Sequence, residues 1–167
     1  MKLLLKIAGW IALFFVLLAI ILTAFVWVTG TFFAKDPVIS SLPKAVNQEL
    51  CTSGGFGDFT DYGKYQYSGI EEASLLETGY FSKMDPSDVE EMREYLDNFE
   101  GRVESVGGEV QDGYDFDRSL PSPGDYLYLK TKEGEPIGDT FYRKFDNYTI
   151  YYFDFDAQTL YYFHSNI

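Results

Sequence analysis

DTFYRKFDNYTIYYFDFDAQTLYYFH (residues 139–164) is the stretch whose reading decides the fold. Its runs are short and dense in aromatic and β-branched residues, side chains that seat well on a pleated surface. Between them stand Asp146-Asn147 and Ala157-Gln158, residues that favour turns. With the upstream run DYLYLKT (125–131), the pattern predicts a C-terminal antiparallel meander of three or four strands. If both breaks are two-residue turns, Phe145 faces Tyr148 and Phe155 faces Leu160. Alternation then puts Phe141, Arg143, Phe145, Tyr148, Ile150, Tyr152, Tyr161 and Phe163 on one sheet face. The other face carries Tyr142, Lys144, Thr149, Tyr151, Phe153, Phe155, Leu160, Tyr162 and His164.

In that register Asp154 and Asp156 join the first face, and Asp139 falls opposite Asp154. Three carboxylates would converge at one end of the sheet. Such a group can hold a hard cation such as Ca²⁺, which favours several oxygen ligands. It can also raise one carboxyl pKa by like-charge repulsion, leaving an acid beside a base as a hydrolase requires. The expectation is plainer: Asp is a common turn residue whose side chain accepts from nearby backbone N–H groups. A cation-binding module or carboxylate-dependent hydrolase on Asp139, Asp154 and Asp156 is the alternative. The earlier YDFDRS, with Asp112, Asp115 and Asp117, reads as loop, and its spacing is not that of a calcium loop.

Upstream, MDPSDVEEMREYLDNFEG (84–101) predicts a helix over 85–100. Asp85 caps it, Pro86 takes its first position, and Gly101 ends it. Val89, Met92, Leu96 and Phe99 form its apolar stripe, while Glu90, Glu91, Glu94 and Asp97 lie off that stripe on a solvated face. DPVISSLPKAVNQEL (36–50) reads as a linker followed by a helix with Pro43 in its first turn. A strand is expected near Tyr62–Tyr67. The domain is therefore α+β.

The N-terminus carries the strongest single signal. From Ile7 to Val28 there is no charged residue. As a helix these positions span about 33 Å, enough for a hydrocarbon core of roughly 30 Å. Trp10 and Trp27 near the two ends suit the membrane–water interfaces, and Lys2 and Lys6 keep the N-terminus inside. A cleaved signal peptide fits less well, because the apolar run is too long and Phe32 occupies a position that wants a small residue. The expected order is a cytoplasmic N-terminus (1–6), a single-pass transmembrane signal anchor (7–28), a linker (29–40) and an acidic extracytoplasmic domain (41–167) in the cell membrane.

All 26 acidic residues follow Ala34, against 11 of the 13 Lys and Arg, so that part carries a net charge of 11 − 26 = −15. Nucleic acid is excluded as a partner by that field. Cys51 is the one cysteine and His164 the one histidine, so neither an internal disulfide nor a zinc site of the usual ligands can form. No nucleophile motif accompanies His164. Asn147–Thr149 matches a glycosylation acceptor. With 14 Tyr and 15 Phe, some tyrosines should be exposed beside the acids. The expectation is a contact protein for a basic protein partner, of inhibitor or immunity type, without cofactor or catalysis.

The turn role of the Asp triplets has a direct test in thermal unfolding of residues 36–167 with Ca²⁺, Mg²⁺ or chelator. A bound ion at a hundredfold excess over its Kd would add about 2.7 kcal/mol. The expected result is no shift. A rise that Asp154→Asn abolishes would make the triplet a cation site.

Overall fold

Asp85 opens the helix that covers the sheet. Its Oδ1 accepts from the Ser87 and Asp88 amides at 2.7 and 3.2 Å, and Asp88 Oδ2 accepts from the Asp85 amide at 2.8 Å. With Pro86 in the first turn, three backbone donors that have no partner inside the helix are thus satisfied. The computed structural model describes residues 36–53 and 58–167, and Leu18 alone before them. The expected span at 7–28 with Trp10 and Trp27, Leu18 apart, and the linker up to residue 35 lie outside the described residues. No helix among the described residues is long and apolar enough to cross a membrane.

The chain divides into two units, Met1–Ser40 and Ser41–Ile167. The elements are α1 (Pro37–Ser41), β1 (Asn47–Thr52), β2 (Phe59–Gln66), α2 (Glu72–Glu77), β3 (Ser82–Lys83), α3 (Pro86–Val106), α4 (Gly108–Gly113), β4 (Tyr126–Thr131), β5 (Pro136–Ile137), β6 (Thr140–Phe141), β7 (Asn147–Asp154) and β8 (Thr159–Asn166). The fold is α+β. Six strands make one antiparallel sheet in the order β1-β2-β8-β7-β4-β3, and β5 and β6 form a separate hairpin.

Several expectations change. The helix expected after Pro43 is not formed: the short helix precedes it, with Asp36 Oδ1 accepting from Val38 and Ile39, and Asn47–Thr52 is edge strand β1. Pairing with β2 overrides a local sequence with little strand preference. The long helix runs through Gly101 to Val106, because Val103 continues the buried stripe four residues after Phe99. It stops at Gly107, whose φ of 67° suits glycine. Finally, residues 139–145 are not a meander strand beside β7.

β7 is buried at every residue from Tyr148 to Phe153, hence on both faces. A neighbour must bury both of its own faces as well. Tyr126–Leu129 of β4 can do so, whereas Arg143 and Lys144 would bring two cations inside. β4 accordingly takes the place, with Tyr126 opposite Phe153 and Thr131 opposite Tyr148. Residues 132–146 become an excursion carrying the β5–β6 hairpin. Across the β7–β8 turn, Phe153 rather than Phe155 faces Leu160. That slip of two residues leaves every side chain of β7 and β8 on its expected face.

Tyr148, Ile150, Tyr152, Tyr161 and Phe163 do share one face, and it packs beneath α3 in a single core. Phe99 meets Phe163 edge-on at 5.3 Å, and Tyr95 meets Tyr148 at 4.9 Å. On the opposite face Phe153 lies against Tyr67 and Phe81 from the segment around α2. Beyond that cover, Tyr80, Tyr128, Tyr151 and Tyr162 form a row with neighbouring ring centroids 5.4 to 5.6 Å apart. The tyrosines expected to be exposed are not: all 14 are buried or half-buried.

α4 approaches β1 so closely that a Cβ at Gly113 would overlap the Cys51 sulfur. Gly113→Ala should cost about 1–3 kcal/mol by overpacking. Much of that cost should vanish in a Cys51→Ala background, measured as a double-mutant cycle by urea unfolding.

Candidate functional site

The three acids expected to converge do not meet. Asp154 ends β7, and its Oδ1 accepts from the Ala157 amide at 2.8 Å, bracing the turn. Asp156 is exposed in that turn. Asp139 is exposed beside Gly138 at the tip of the β5–β6 hairpin, and β6 pairs with β5 alone. The place opposite β7 that would have brought Asp139 to Asp154 belongs to β4, and Asp154 itself pairs with Thr159. Among the described residues no three His, Cys, Asp or Glu side chains are grouped so as to hold a metal ion.

The other triplet has the larger role. Asp115 accepts from Tyr62 Oη at 2.7 Å and from Lys64 Nζ at 2.6 Å, both on β2. Partial burial pulls its carboxyl pKa up, but Lys64 and Tyr62 outweigh that and hold it below the ordinary 3.8. Phe116 turns inward against Tyr152, Tyr161 and Phe163. Asp117 turns out again and accepts from the Ser119 amide and hydroxyl. Tyr114 donates to Glu100 at 3.1 Å, while Arg118 reaches Glu100 and Asp97. The loop 114–118 is thereby strapped across α3 and β2. Asp–Phe–Asp sets an outward, inward, outward alternation, and the tertiary contacts of Asp115 gave no signal in sequence.

A second carboxylate lies deeper. Asp125 is 9% exposed. It accepts from Tyr152 Oη at 2.8 Å, Ser122 Oγ at 2.9 Å and the Ser122 and Phe155 amides. Burial, then Asp125, pushes the Tyr152 hydroxyl far above its ordinary range, and burial followed by Asp115 does the same to Tyr62. Both phenols therefore stay protonated as donors. Neither can serve as a base.

Cysteine–histidine chemistry is ruled out by register. Cys51 pairs with Tyr62, which pairs with Phe163, all on the α3 side of the sheet. His164 projects from the other side, against Phe59 at 4.7 Å and 3.5 Å from Asp61. Burial, then Glu109, Glu49 and Asp115, raises the Cys51 thiol pKa, so the nucleophilic thiolate is disfavoured.

A cleft of about 450 Å³ opens between the end of α3 and the ends of β2 and β8, lined by Phe59, Thr60, Arg102, Val106, Asn166 and Ile167 among others. Arg102 is committed elsewhere: Nε donates to Asn98 at 2.9 Å and Nη2 to the Phe145 carbonyl, while Nη1 is buried without a partner. Among the described residues that line the cleft, no general acid and base stand together.

Charge is the feature that remains. From Asp85 to Arg118, the α3–α4 layer and its strap hold 12 acidic residues against 3 arginines, a net charge of 3 − 12 = −9. Glu90, Glu91, Glu94 and Asp97 are exposed on α3, as its periodicity implies, and Glu109 and Asp112 on α4.

Truncating Asp125 to Ala would strand the Tyr152 hydroxyl in the core. The expected cost is about 2–3 kcal/mol, with Asp125→Ala/Tyr152→Phe recovering part of it in chemical denaturation.

No protein-family model, no curated protein and no solved structure matches this chain.

Proposed function

We propose that this chain is a single-pass membrane protein, anchored by residues 7–28, whose extracytoplasmic domain acts by binding a basic protein surface in the manner of an inhibitor or immunity protein. The observation that carries this is the concentration of charge: the helical layer and its strap carry −9 of the net −15 beyond Ala34, while the sheet buries aromatic rings on both sides. A single-signed surface steers an opposite-signed partner and repels others. Of the three candidate acids, Asp154 braces a turn, and Asp139 and Asp156 stand exposed. The anchor would hold that surface at the membrane, where its partner would arrive or be retained.

The test uses the full chain in its own membrane, with a photo-crosslinking residue in place of Glu91. We expect the chain to stay in the membrane pellet after alkaline carbonate extraction and to crosslink to a basic protein. Glu90→Gln/Glu94→Gln and raised salt should each cut that yield severalfold. A yield indifferent to both would overturn the proposal.

A further inference from the structure

Among the described residues β1 is the long open edge of the six-stranded sheet; the opposite edge strand, β3, has two residues. An open edge offers a row of backbone donors and acceptors to any strand that can align with it. The Ser53 amide donates to the Thr60 carbonyl at 3.1 Å. In an antiparallel ladder inward and outward groups alternate, so the backbone groups of Gln48, Leu50 and Thr52 point away from β2. β1 contains no proline or lysine, the residues that usually block an edge.

The two sides of this edge differ in chemistry. Glu49 and Cys51 project to the α3 side, since Cys51 pairs with core residue Tyr62. There α4 adds exposed Glu109, and Glu49 and Glu109 both act on the Cys51 thiol. Lys64 stands opposite Glu49 in the ladder and is bound by Asp115, so among the described residues Glu109 and Glu49 together still outnumber the free cations on this side. On the other side Leu50 is 50% exposed and Val46, just before the strand, 67%. One rim is acidic, and the other carries exposed Leu50 between Gln48 and Thr52.

We propose that the edge of β1 receives an extended segment of the partner protein as a seventh strand, with basic side chains on the α3 side alternating with apolar ones beside Leu50. This rests on the proposed contact with a basic partner and gives that contact its backbone geometry. A second copy of this chain is a poor occupant, because pairing β1 with β1 brings two sets of Glu49 and Glu109 together. The ladder also decides which amides matter. Residues that exchange hydrogen bonds with Gln48, Leu50 and Thr52 have side chains on the same side as Leu50, and these are the apolar ones.

The probe is the peptide acetyl-Lys-Val-Lys-Val-Lys-Val-Lys-amide, added to the full chain in lipid nanodiscs and followed by amide hydrogen exchange. Binding at low salt should slow exchange at Gln48, Leu50 and Thr52 by about tenfold or more. N-methylation of the three valine amides should abolish this protection; N-methylation of alternate lysine amides should leave it. Glu49→Lys/Glu109→Lys should weaken binding by about tenfold, a loss of 1.4 kcal/mol. Equal binding of the valine-methylated peptide would overturn strand addition while leaving an acidic contact standing. No binding of the unmodified peptide would overturn the edge proposal, and the Glu91 crosslink would then judge the contact separately. Dimerisation that protects the same amides without peptide would give the edge to a second copy and overturn the proposal.

Discussion

Burial of β7 on both faces is the constraint from which the rest of this domain follows. A strand with Tyr148–Phe153 enclosed above and below needs two neighbours that can also be enclosed, and a cover for each face. β4 and β8 supply the neighbours, α3 covers one face, and the segment around α2 covers one end of the other. β2 then extends the sheet beyond β8. The order β1-β2-β8-β7-β4-β3 puts the last two long strands at the centre and the first at the edge.

A core built from tyrosine brings hydroxyls with it, and this explains the conspicuous acids. Asp125 satisfies Tyr152, Asp115 satisfies Tyr62, and Asn98 with the Tyr95 carbonyl satisfies Tyr148. A buried hydroxyl without a partner loses its hydration and gains nothing in return. These carboxylates are anchored from inside the fold. Asp115 and Asp125 are thus structural polar groups, and every tyrosine is buried or half-buried.

Of the net −15 beyond Ala34, −9 lies between Asp85 and Arg118. The α3 stripe is consumed by the core, and 7 of its other 15 positions are glutamate or aspartate. Local ion pairs such as Arg93–Glu90 and Lys144–Glu94 offset part of the field. Being exposed, they add little to stability. The acidic excess sets up a field that reaches beyond contact distance, and Glu49 and Glu109 extend it to the edge of β1.

Much of the architecture was legible because its signals are local. Asp85-Pro86 announced a helix start, the 3.6-residue stripe named its buried face, and alternation assigned the faces of β7 and β8 even though the turn was two residues longer than expected. The sign and position of the charge follow from composition alone. What only the tertiary structure decided was which strand pairs with which: that β4 rather than residues 139–145 flanks β7, that Asn47–Thr52 is an edge strand, and that Asp115 reaches β2. Each depends on contacts between residues far apart in the chain, whose stability comes from burying both partners at once, and no local period records that.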